Sequence, residues 1–258
     1  MKKEILLPII LFSAFLLSGC RTDWGITDSG LGGDTPVSST RSSGSEVGDL
    51  LDSYEAGTTY QYNPDAIPPD IDLPSVWKQF TNAAIQNNPG YRSADAYLAV
   101  IKQFNVDSNP CRYTFGCENA EYTRCNIYAS DVMNAMGAHL PTKGELGVGQ
   151  GSSKNSDPMP ANAEHTHAWL EEEQGGWRKL NPANPTDWEV LLDHVTAGKP
   201  ALASHPDHIA VIRPDQPGGL AAGDINGLHI AQSGAYNSSD TQLGAAFGRR
   251  NVDIYIHD

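Results

Sequence analysis

The chain has 258 residues, 39% of them hydrophobic, and a formal net charge of −14. That is apolar material for one core, and the acidity argues against nucleic acid or an anionic lipid surface as a partner, since both need a basic footprint. The 25 glycines and 17 prolines are spread widely and indicate many loops.

Lys2 and Lys3 precede an apolar run over 5–17. The pattern is that of a secretory n-region and h-region, too short for a membrane span. It ends in Leu17-Ser18-Gly19-Cys20, which resembles a bacterial lipobox. The resemblance implies that residues 1–19 are a signal peptide and that Cys20 is lipidated. The mature protein is then held in the cell envelope by its acyl chains only. An ordinary signal peptide with Cys20 as a bystander is the alternative. Arg21, in place of the Asp of inner-membrane retention signals, points to the periplasmic face of the outer membrane if the cell is Gram-negative. Residues 20–73, rich in Ser, Gly, Thr, Asp and Pro, read as the anchor and a disordered tether with a short ordered patch near 47–54. The folded domain is expected over 74–258.

Within that domain a first helix is expected over 75–87, with Val76, Phe80, Ala83 and Ala84 on one face and Pro89-Gly90 ending it. A second spans 94–104, capped by Ser93. A third spans 125–136; its apolar residues run around the helix, which predicts deep burial, and Gly137 suits the position after its end. Residues 141–163 read as a long loop bordering a cleft. Short strands follow over 167–171 and 176–180. Thr186-Asp-Trp-Glu189 is a capping-box pattern opening a helix that ends at Gly198. Strands over 201–203, 208–213, 227–232 and 252–257 complete the pattern. Helices followed by a meander of strands give an α+β class, with the buried helix on an antiparallel sheet.

Four cysteines occur, Cys20, Cys111, Cys117 and Cys125. Cys111 and Cys117 are close in a loop-like stretch, so a Cys111–Cys117 disulfide is expected in an oxidising compartment. Bridges from either to Cys125, or three reduced thiols, are the alternatives. Cys125 stands at the expected start of the buried helix, where unpaired N–H groups and the helix dipole stabilise a thiolate and can hold an oxyanion. His208 opens one strand and Gln232 closes another. Neighbouring antiparallel strands could present them side by side, as a base and its orienting group. His229 competes with Gln232 but projects to the opposite strand face.

The order of a helix-start cysteine, a strand-start histidine and a polar residue on the next strand resembles the NlpC/P60 superfamily of papain-like cysteine peptidases. The stretches TRCNIYASDVMNAMGAHLP, AGKPALA with HIAVIRP, and LHIAQSGAYN carry the resemblance over roughly 110–257. It implies a papain-like fold and hydrolysis of amide bonds in peptidoglycan peptides by Cys125, His208 and Gln232, with no cofactor. It also implies a tyrosine hydroxyl near the oxyanion: Tyr113 matches the offset, and Tyr122 is the spare. The common Asp-Cys-Ser-Gly motif is replaced here by Arg124-Cys125-Asn126-Ile127. Arg124 would then favour a substrate carboxylate over a free amine, unless it faces solvent or a structural acid such as Glu121. A non-catalytic envelope binding lipoprotein on the same fold, or a toxin-like amidase or acyltransferase, is the alternative function. Any regulatory or immunity partner is left unspecified.

Other features carry less. His165-Thr-His167, with Glu164 or His139, invites a metal reading, but no HExxH or paired-cysteine spacing supports it, and no metal is expected. Trp169, Trp177 and Trp188 could line a sugar or peptide groove, with core packing as the default. Gly147–Gly151 lacks the lysine of a phosphate loop.

Overall fold

A computed structural model describes residues 73–76, 78–117, 124–148 and 157–258. The expected signal peptide, Cys20, almost all of the tether and Tyr122 lie outside the described residues. Among the described residues the class is α+β, with helices on one antiparallel sheet.

The sheet has six strands, β1 (Trp177–Leu180), β2 (Ala201–His205), β3 (His208–Ile212), β4 (His229–Gln232), β5 (Ser238–Gln242) and β6 (Asp253–His257), in the order β1-β6-β2-β3-β4-β5. Every neighbouring pair is antiparallel. The central strands read as continuous apolar runs because both faces are covered. Leu202, Ile209, Val211, Ala231 and Tyr255 pack on one side with α1 (Ala94–Gln103), α2 (Cys125–Ala135) and α3 (Ala163–Glu171). Ala203, Ala210, Ile212, Ile230 and Ile254 pack on the other with α4 (Pro185–Thr196) and α5 (Leu243–Phe247).

The expected caps hold for α1 and α2. The Ser93 side chain accepts from the Ala96 N–H, and Gly137 takes the left-handed conformation at φ 68° just past α2. Three expectations fail. The described residues of 75–87 are irregular, because their backbone groups are spent elsewhere: the Gln103 side chain bonds both N–H and C=O of Ile85, and Asn87 N–H donates to Ala135. Val76, Phe80 and Ile85 still reach the core. The expected strand over 167–171 belongs to α3, which Asn162 caps by accepting from His165 N–H. Helix α4 starts before the supposed capping box, with Asn184 as its cap and Pro185 in its first turn.

His194 of α4 is buried, its ring bonded to the carbonyls of Pro200 and His257, and burial pulls its pKa down to about 4. Burial does the same to His208, also to about 4. Each imidazole takes a proton more readily unfolded than folded. Their contribution is therefore complete above the ordinary histidine value and is lost as pH falls toward 4. Urea denaturation should show stability falling between pH 6.5 and 4, by on the order of 2 kcal/mol for His208 alone. A flat profile across that window would contradict the assignment.

Candidate active site

His208 and Gln232 meet as the strand pairing requires. The Val211–Ala231 register of β3 and β4 sets the start of β3 beside the end of β4. His208 Nε2 lies 2.6 Å from Gln232 Oε1, and both side chains are buried. The amide oxygen accepts, so Nε2 carries the proton and Nδ1 keeps its lone pair. Gln232 Nε2 donates to the Tyr236 carbonyl, which fixes the amide orientation. The Phe247 ring packs against the imidazole, with centroids 4.7 Å apart. A Cβ at Gly234 would come within 3.3 Å of His208 Cε1, so the bare backbone there gives the ring its room. Phe247 and Gly234 escaped sequence reasoning, since the short helix carrying Phe247 lies in a stretch with no amphipathic period. His229 points to the other side and meets Asp240 at 2.9 Å.

Cys125 is the first residue of α2 and fully buried. Its helix is anchored at the sheet end where β3 begins. The Arg124 guanidinium gathers the carbonyls of Cys111, Arg112 and Cys117, and Ser233, next after Gln232, donates its hydroxyl to the Tyr113 carbonyl. Asn126 ties the same turn to the Ala161 carbonyl ahead of α3. Side-chain alternation places His208 with Ala210 and Ile212, whereas α2 packs on Ile209 and Val211. A Cys125–His208 contact therefore has to be made around the open end of β3. The Cys125 sulfur is disulfide-bonded in this structure. Cys111 and Cys117 are not bonded to each other.

These observations correct four expectations. The Cys111–Cys117 disulfide is absent; the loop is closed by one guanidinium holding backbone carbonyls at both of its ends. Cys125 is oxidised rather than a thiolate. Arg124 does not face a substrate: it is 2% exposed and its fork is spent on that loop. Tyr113 gives no hydroxyl to an oxyanion. Its hydroxyl donates to Asp131 at 2.7 Å, well along α2, within a buried network where Arg112 bonds both Asp131 oxygens at 2.6 and 2.8 Å. Burial raises the Asp131 carboxyl against the opposing pull of the Arg112 fork, and burial together with the neighbouring Asp131 carboxylate raises the Tyr113 phenol. Replacing Arg124 with alanine should lower stability by about 2–3 kcal/mol, because three carbonyls lose a charged donor. Denaturant titration checks this, and a variant as stable as wild type would refute the clamp.

His165 and His167 sit on a helix, roughly 200° apart around its axis, and do not share a side. His167, Glu171 and Asp253 do converge, with ligand atoms within 4.8 Å of one another. The Lys179 ammonium stands among them, 2.6 Å from Glu171 and 2.9 Å from Asp253, and Tyr255 donates to Glu171. These bonds hold the Glu171 carboxyl down to about 2. The cluster thus supplies its own cation. Trp177 and Trp188 are core residues, whereas Trp169 is half-buried at the rim of a cavity. No described helix is long and apolar enough to cross a membrane. Comparison of the chain with family models, with curated proteins and with solved structures finds no match.

Proposed function

We propose that this protein is a lipid-anchored cell-envelope cysteine hydrolase of the NlpC/P60 type that cleaves amide bonds in peptidoglycan peptides once Cys125 is reduced. The observation that supports it most is the buried His208–Gln232 bond, with Nδ1 left as the basic nitrogen, at the end of the sheet where Cys125 begins its helix. His208 Nδ1 takes the thiol proton. The thiolate attacks the scissile carbonyl, and first-turn amides of α2 face the oxyanion. The C–N bond breaks as the imidazolium returns the proton to the departing amine, and water then hydrolyses the thioester. Gln232 holds the ring throughout. The lipobox-like Leu17–Cys20 run places the enzyme beside its substrate.

The test is digestion of purified peptidoglycan with reductant-treated wild type and with Cys125→Ala, products being identified by mass spectrometry. Peptide fragments with new amino and carboxyl ends are expected from wild type alone. Intact wall after treatment with reduced wild type would overturn the reading. The disulfide at Cys125 favours one rival, a non-catalytic binding protein on the same fold; pull-down by the wall without cleavage would establish it.

A further inference from the structure

A second site lies at the opposite end of α2. A cavity of about 650 Å³ is lined by His139, Glu145, Leu146, Val148, His165, Trp169 and Glu172 among others. His139 follows shortly after α2, whose 11 residues span roughly 16 Å, so the cavity is remote from Cys125. Of three tryptophans that could have lined a groove, Trp177 and Trp188 are buried in the core and Trp169 lines this cavity. Its indole is held from two sides. The His139 ring meets it edge-on at 6.4 Å, and Gly175 leaves it room where a Cβ would come within 2.4 Å. Glu145 is kept ionised by the Thr142 N–H and hydroxyl and by His139, which hold its carboxyl below the ordinary range.

We propose that this cavity binds a neutral pyranose ring bearing an acetamido group. A fixed indole accepts the apolar C–H face of a sugar. Glu145 and Glu172 accept from hydroxyls, and the imidazoles of His139 and His165 offer further polar contacts. Leu146 and Val148 supply an apolar wall for the acetamido methyl. Two carboxylates at one mouth reject phosphate and other anions. The size suits one or two rings. The proposal stands apart from the hydrolytic reading, because it concerns binding alone.

Calorimetric titration of the Cys125→Ala protein with tri-N-acetylchitotriose tests it, since hydrolysis cannot then intervene. Saturable binding is expected, at least tenfold weaker after Trp169→Ala. Trp169 also touches the core, so Glu172→Gln, at an exposed position, is the second variant: several-fold weaker binding is expected with an unchanged melting temperature. Absence of binding at millimolar sugar, equal binding by both variants and the parent, or binding of trilysine in place of the sugar would overturn the proposal.

Discussion

Substituting His208 with alanine should lower amide hydrolysis by about 10²–10⁴-fold, since the general acid and base are lost together. The same variant should slow alkylation of reduced Cys125 near neutral pH, because the thiol loses its proton acceptor. Gln232→Ala should cost less, about tenfold, through a ring free to turn. Gln232→Glu separates orientation from charge: a carboxylate against Nε2 raises the imidazole pKa and moves the acid limb of the rate profile upward. Rates against pH for the four proteins, together with iodoacetamide kinetics, decide the matter. Unchanged alkylation in His208→Ala would show that the imidazole does not reach the sulfur around the end of β3.

The largest loss of stability is expected at Asp131. Its carboxylate is buried and holds both the Arg112 fork and the Tyr113 hydroxyl. Asp131→Ala strands a buried guanidinium and should cost about 3–5 kcal/mol. Replacing the pair together, Arg112→Met with Asp131→Leu, should cost clearly less, because no unpaired charge remains. Urea titrations of the two variants give the comparison, and equal losses would refute the account. The network lies in the core behind the candidate nucleophile, so a doubly substituted protein that folds should retain a reactive Cys125.

The parts legible in the sequence were those governed by local chemistry. Ser93 and Gly137 mark helix ends by side-chain capping and a left-handed turn, and the apolar runs of β3 and β4 announce strands buried on two faces. Period-two alternation allowed His208 and Gln232 to face one another, and the NlpC/P60 resemblance chose Gln232 over His229. What stayed hidden depends on distant partners. The segment holding Phe80 and Ile85 has helical spacing, yet Gln103 and Ala135 take its backbone bonds. Arg124 read as a charge for a substrate carboxylate because the three carbonyls that absorb it belong to a separate loop. Strand β5, Ser-Ser-Asp-Thr-Gln, has no apolar alternation; its pairing with β4, not its composition, makes it a strand. Tyr113 matched an offset along the chain, whereas its hydroxyl is claimed by a carboxylate well along α2.

The two outer strands of the sheet have a consequence for self-association. An open strand edge is a template on which another chain can add. β1 is four residues long and exposes Arg178 and Lys179. β5 is polar, carries Asp240, and loses register against β4 between Ile230 and Gln232. Among the described residues neither rim offers a long, flat, apolar ladder, so copies crowded side by side have little to zip together along these two edges.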